Sequence, residues 1–230
     1  MKINELFTSI QGEGVNCGIQ TTFIRAQGCP VGCPWCDSGP NYHPDDAVAH
    51  VPSAGNTWGV GGIEMTVLDI IHQIPIRIPM IVLTGGEPAL QNWDELMYTW
   101  EAIVGHAGTV WAIETSGQYK WLGTHPPTHV TISPKWSHAA NKEPWFIEPS
   151  WWSFVKELKY VVDDVFTPAV VDQHIREMVK ACPWRSVVEI VLMPEGCPPS
   201  PESNQRVLKL LEQHRDWRFG PRLQYMIGVK

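Results

Sequence analysis

The chain has 230 residues, 43% of them hydrophobic, which is enough for one sizeable core. Its 17 Lys and Arg against 24 Asp and Glu leave a formal net charge of -7, which excludes a broad electrostatic hold on DNA or on an anionic membrane, so neither is expected as a partner. There is no apolar run of about 18 residues, and the start "MKINELFTSIQGEG" lacks a basic-then-apolar secretory pattern. A cytoplasmic protein is expected, and in that compartment a tight group of cysteines serves metal or redox chemistry rather than disulfides.

In chain order, the first predicted strand is the β-branched run "TTFIRA" (21–26). It leads into "GCPVGCPWCDS" (28–38), which holds three of the six cysteines within eight positions. The stretch 39–62, rich in Gly, Pro, Asn and Asp, has no periodicity and reads as a long surface loop inserted in the domain. Thr66 followed by Asp69 marks a capped helix start before "VLDIIHQI". Strands are then predicted at "MIVLTG" (80–85), "TVWAIET" (109–115), "HVTISP" (129–134), "ELKYVV" (157–162), "VVEIVLM" (187–193) and "RLQYMIGV" (222–229). Helices are predicted at "WDELMYTWEAIV" (93–104), "PAVVDQHIREMVKA" (168–181) and "PESNQRVLKLLEQH" (201–214).

Strands alternating with helices imply an α/β fold with a parallel sheet, in a single domain spanning 1–230. Seven strands fit a partial, incomplete TIM-like barrel at least as well as a full one. In any such arrangement chemistry belongs where strands end. Cys29, Cys33 and Cys36 follow the first predicted strand; Thr84, Gly85, Gly86 and Glu87 follow the second; Glu114, Thr115 and Ser116 end the third; Ser133, Pro134 and Lys135 end the fourth. These positions are predicted to converge on one rim.

The spacing C-x3-C-x2-C places three soft thiolates on a short loop, a set that suits iron–sulfur coordination. A closed zinc site wants a fourth ligand, and neither Cys17 nor His43 stands at zinc-finger spacing. Three thiolates on a four-iron cluster leave one iron open. Cys17, Cys182 and Cys197 are isolated and read as packing residues, the nine His show no metal-binding spacing, and the twelve Trp read as core or interface anchors.

The C-x3-C-x2-C loop, with Trp35 directly before its last cysteine, resembles that of the radical S-adenosylmethionine (SAM) superfamily, and "TGGEP" (84–88) resembles its glycine motif. Together with "ELFTSIQGEG" (5–14), "FIRAQGCPVGCPWCDS" (23–38), "ETSG" (114–117), "ISPK" (132–135) and "ELKYVV" (157–162), the chain resembles the 7-carboxy-7-deazaguanine synthases, in that family's order. The resemblance implies a radical SAM lyase that converts 6-carboxytetrahydropterin to 7-carboxy-7-deazaguanine with loss of ammonia. It further implies a 4Fe-4S cluster, SAM and Mg2+, an electron donor such as flavodoxin, a homodimer, and a product used in queuosine-type tRNA or DNA modification. A radical SAM activase of a glycyl-radical enzyme is the alternative that shares the triad.

By the same resemblance, Cys29, Cys33 and Cys36 hold the cluster, and Trp35, Cys36, Asp37, Gly86, Ser133, Pro134 and Lys135 contact SAM. Ile10, Gln11, Gly12 and Glu13 form a substrate-facing turn, Arg25 clamps the substrate carboxylate, and Thr84 faces the substrate. Glu114 accepts from the pterin edge or from a SAM hydroxyl. Three departures stand out. Ser38 replaces the family's Thr at the Mg2+ position. Met193, Pro194, Glu195 and Gly196 replace a Q-P-M-D-like turn at the SAM ribose. Gln224 replaces a tail His, and the α-carboxylate of Lys230 is expected to reach the substrate. Adding a single residue after Lys230 is therefore expected to reduce activity at least severalfold, measured as product formed by tagged and untagged enzyme; equal rates would remove Lys230 from the site.

Overall fold

The computed structural model describes residues 1–31, 33, 36, 62–105, 108–124, 126–135, 145–185 and 187–229. A nine-stranded sheet runs through the described chain in the order β3-β1-β2-β4-β5-β6-β7-β8-β9. Its strands are β1 (Lys2–Ile10), β2 (Gln20–Ala26), β3 (Ile63–Glu64), β4 (Met80–Gly85), β5 (Val110–Thr115), β6 (His129–Ile132), β7 (Val155–Val162), β8 (Glu189–Pro194) and β9 (Arg218–Phe219). From β2 to β9 all neighbours pair in parallel, while β1 pairs antiparallel with β2 and β3.

The helices are α1 (Val67–Ile71), α2 (Asp94–Val104), α3 (Ala169–Ala181), α4 (Pro201–Gln213) and α5 (Leu223–Ile227). α1 starts at a capping box, in which the Asp69 amide donates to Thr66 Oγ1 at 3.1 Å and the Thr66 amide donates to Asp69 Oδ2 at 2.9 Å. α4 starts at Ser200, which accepts from the Ser203 amide, with Pro201 in the first turn where its missing N–H costs nothing.

Period-two alternation separates the two faces of the parallel strands. On one face Ile24, Ile81, Leu83, Ile113, Val130, Ile132, Leu158, Tyr160 and Leu192 pack with Leu96, Trp100, Trp151, Trp152, Val171 and Met178 in the main core. Residues of the other face form a small apolar cluster of Phe23, Met80, Val82 and Ala112, with Phe7 stacked on Phe23 at 5.1 Å. Toward the strand ends that face turns polar, with Arg25, Thr84, Glu114, Ser133 and Lys159. These polar strand residues therefore share one face and one end of the sheet.

Besides the short unpredicted strands β3 and β9, two segments differ from the sequence reading. The predicted strand at 222–229 is the helix α5, closed by Gly228 in the left-handed conformation; the two-residue β9 occupies the β8 edge, and Leu, Gln and Met suit a helix as well as a strand. The N-terminal segment, not predicted as a strand, is the nine-residue β1. Its pattern is disguised because most of its residues are only half-buried.

Gly85, where β4 meets the following loop, has φ +98°, and a Cβ there would lie 2.6 Å from Arg25 Cα. Gly105 has φ +66° with nothing near its Cβ position. Gly85→Ala is expected to cost about 3 kcal/mol, and Gly105→Ala about 1 kcal/mol, as read from urea unfolding. Equal losses would show that the close approach to β2 is not a constraint.

Candidate active site

The ends of β2, β4, β5, β6, β7 and β8 surround one cavity. Its walls are completed by the β1–β2 turn, which carries Gln11, Gly12 and Glu13, and by the C-terminal segment with Arg222 and Gln224. The two additions dock on each other: the Leu223 amide donates to the Gly12 carbonyl at 2.9 Å, and Gln224 Nε2 donates to Glu13 Oε1 at 3.0 Å.

The rim is held by a buried carboxylate. Glu87, 1% exposed, accepts from the Ala89 amide at 3.1 Å, Thr115 Oγ1 at 2.6 Å, the Ser116 amide at 3.0 Å and Ser116 Oγ at 2.5 Å. The amides of Gly86 and Glu87 in turn donate to the carbonyls of Ala26 and Gly28. The β4 and β5 loops and the root of the cysteine loop are thus locked together. This explains physically why "TGGEP" and "ETSG" stand where they do: the acid of one motif is the acceptor for the hydroxyls of the other.

The floor is an ionic network around Lys159, which is 4% exposed. Its Nζ lies 2.9 Å from Glu13 Oε2 and 3.5 Å from Glu114 Oε1. Glu114 Oε1 also accepts from Gln11 Nε2 at 3.0 Å, and Glu114 Oε2 from Thr84 Oγ1 at 3.4 Å. Burial alone would raise the Glu13 carboxyl, but Lys159 and Arg222 outweigh it and hold the group down at about 2. Burial works against the Lys159 ammonium too, yet Glu114, Glu13 and Glu157 raise its pKa above the ordinary lysine value. Both groups are charged at neutral pH. Near the mouth, Arg25 lies 3.7 Å from Glu5 with its guanidinium 5.5 Å from the Phe7 ring centroid, and Lys135 Nζ donates to Ser133 Oγ at 2.8 Å.

Cys29, Cys33 and Cys36, none of them in a disulfide, line this same cavity. Cys29 and Cys33 rest partly buried against the core, and the Cys36 amide donates to the Cys33 carbonyl at 3.2 Å. Burial pushes the Cys29 thiol up to about 12, so binding a metal there would displace a proton.

No protein-family model matches the chain. It is 36% identical over 140 residues to the 7-carboxy-7-deazaguanine synthase of Escherichia coli (strain K12), a match covering 58% of this chain and 60% of that relative. It is 32% identical over 177 residues to the synthase of Aquifex aeolicus (strain VF5), covering 75% of this chain and 69% of the relative. This chain belongs to the 7-carboxy-7-deazaguanine synthase family. The synthase of Prochlorococcus marinus matches over 100% of this chain and 98% of its own length at 28% identity. The crystal structure of QueE from Escherichia coli superposes with a TM-score of 0.66 at 26% identity, over 95% of this chain and 92% of that one.

The synthase resemblance named residues that the structure brings together unevenly. Ile10, Gln11, Gly12, Glu13, Arg25, Cys29, Cys33, Cys36, Thr84, Gly86, Glu114, Ser133, Lys135, Met193 and Gln224 all line the cavity. Pro134, Pro194, Glu195 and Gly196 do not; Glu195 instead lies 3.9 Å from Arg206 of α4. Trp35, Asp37, Ser38, Lys230 and most of the 39–62 loop lie outside the described residues. Lys159 and Arg222 are cavity residues that the sequence reading assigned no role. The signal for Lys159 is visible in "ELKYVV", where two charged residues spaced by two interrupt an apolar strand and must share a face.

The donor set fits an iron–sulfur cluster. Among the described residues no group of three or more His, Cys, Asp or Glu side chains converges on a point as one metal ion requires. A four-iron cluster has no such requirement, because it takes one thiolate per iron and spreads its ligands around itself.

Two outcomes follow for the network. Glu87→Gln puts an amide N–H against donors and is expected to cost about 2 kcal/mol of stability by urea unfolding; an unchanged midpoint would deny the anchor. For Glu13, a carboxyl held at about 2 instead of its ordinary 4.5 contributes stability that is full above pH 4.5 and lost as pH falls toward 2. The stability gap between wild type and Glu13→Gln should stay constant from neutral pH to about pH 5 and close below it. A gap that widens on acidification would contradict the assignment.

Proposed function

We propose that this synthase-family chain is a radical SAM lyase that converts 6-carboxy-5,6,7,8-tetrahydropterin to 7-carboxy-7-deazaguanine with loss of ammonia. Its sheet is then the incomplete TIM-like barrel of the radical SAM type. The observation that carries the reading is the sharing of one cavity by three cysteine thiols, Gly86 just after β4 and a set of polar groups matched to a carboxylated pterin. Product and substrate differ by one ammonia, so the conversion requires no net electrons.

Cys29, Cys33 and Cys36 would hold the cluster, which together with SAM supplies the one-electron chemistry that activates a substrate C–H bond. Gly86 leaves the backbone open to the methionyl part of SAM, with Ser133 and Lys135 beside it. The Arg25 guanidinium offers paired N–H donors to the planar substrate carboxylate. Glu114 and Gln11, fixed to each other at 3.0 Å, present the polar edge that meets the pterin N–H groups. Mg2+, held by the Ser38 hydroxyl with substrate oxygens and waters, belongs to the same proposal. So do an electron donor such as flavodoxin, a homodimer, a cytoplasmic setting and use of the product in 7-deazapurine biosynthesis. Among the described residues no helix is long and apolar enough to cross a membrane.

The test is an anaerobic reaction of reconstituted, reduced protein with SAM, Mg2+ and 6-carboxytetrahydropterin, followed by mass analysis. The expected product is 7-carboxy-7-deazaguanine, absent with Cys33→Ala. Formation of 5′-deoxyadenosine without it would leave a radical SAM enzyme with a different substrate.

A further inference from the structure

A lysine ammonium at the floor of a cavity is costly to bury, and sequence motifs gave Lys159 no part to play. Three acids answer it: Glu13 from the β1–β2 turn, Glu114 from β5, and Glu157 two residues earlier on its own strand. Facing these from other elements are the Arg222 guanidinium ahead of α5, 3.9 Å from Glu13 Oε1, and the His129 imidazole of β6, 3.5 Å from Glu157 Oε2. Glu157 also accepts from the Val15 amide at 3.3 Å, so β7 grips the β1–β2 turn at two points.

The Glu114 side chain and the Glu13 backbone both hold Gln11. Glu114 accepts from Gln11, and the Gln11 side-chain oxygen accepts from the Glu13 amide at 3.2 Å, which fixes the Gln11 amide plane. Lys159 is thus the common neighbour of the groups that face the ligand space. With an uncharged side chain in its place, the carboxylates would face one another across a few ångströms with Arg222 as the remaining nearby guanidinium. Like charges that close do not both stay ionised in a shielded site, so one carboxyl would take up a proton. A protonated carboxyl donates a hydrogen bond where the site otherwise accepts one.

We propose that Lys159 is a positioning residue for substrate recognition: its ammonium keeps Glu13 and Glu114 as paired acceptors and so holds Gln11 and Glu114 ready for the N–H edge of a pterin. The proposal rests on the pterin-binding reading above and deepens it. Lys159 does not touch the reacting carbon; it acts through the acids.

The experiment is equilibrium binding of 6-carboxypterin, an oxidised and unreactive probe, to unreduced holoenzyme with SAM present, between pH 6 and 8. Wild type and Lys159→Arg are expected to bind with affinities that change less than about threefold over that range. Lys159→Met is expected to bind about tenfold more weakly at pH 7, with the deficit growing as pH falls and a carboxyl regains its proton. A Lys159→Met enzyme that binds like wild type at every pH would overturn the proposal, as would a pH-independent deficit, which is the mark of a merely structural role. Should Lys159→Met not fold, Lys159→Met with Glu157→Gln removes one cation and one buried carboxylate together; it is expected to keep the pH-dependent deficit, and wild-type binding by it would overturn the inference. Failure of wild type itself to bind the probe would instead strike the pterin reading.

Discussion

Burying an ammonium group at the end of a parallel sheet removes it from water at a cost of several kcal/mol, and that cost is offset only by well-placed acceptors. Lys159 meets this condition with residues drawn from almost the whole length of the chain, since Glu13, Glu114 and Glu157 surround it and Arg222 backs Glu13. Such a network exists only once the N-terminal turn, the central strands and the C-terminal segment are all in place. Apolar residues of similar volume would often be as stable or more so, so the ions point to a need for fixed polar geometry at the cavity floor rather than to stability alone.

Glu87 plays the corresponding part at the rim. Its four accepted hydrogen bonds join the loops after β4 and β5, and the neighbouring backbone amides reach the chain just ahead of Cys29. The three cysteines that line the cavity follow directly on β2. Their entry is held by the Glu87 side chain, 1% exposed, so floor and rim use the same device: a buried polar side chain satisfied by partners distant in sequence.

Much of this was legible in the residues. The apolar β-branched runs marked six parallel strands, because strands buried on both faces read as nearly continuous hydrophobic stretches. The placing of Thr84, Glu114 and Ser133 on one rim followed from strand ends alone. β1 was not legible, since a half-buried strand paired antiparallel on both sides carries a weak alternation, and α5 was misread because "RLQYMIGV" satisfies two periodicities at once. The ionic floor was hidden for another reason. No local pattern tells Glu13 that its partner lies on β7; only the register of the sheet and the fold of the turn bring Lys159 to 2.9 Å from it.

The most direct test of this account is a double-mutant cycle on stability between Lys159 and Glu13, using Lys159→Met, Glu13→Gln and the pair, in urea at neutral pH. Two buried, contacting charges in one network are expected to couple by about 1.5 kcal/mol or more, the double mutant losing much less than the two single losses added together. Additive losses, with coupling within about 0.5 kcal/mol of zero, would mean that the two groups share a cavity without depending on each other, and the ionic floor would not be the constraint that holds this site.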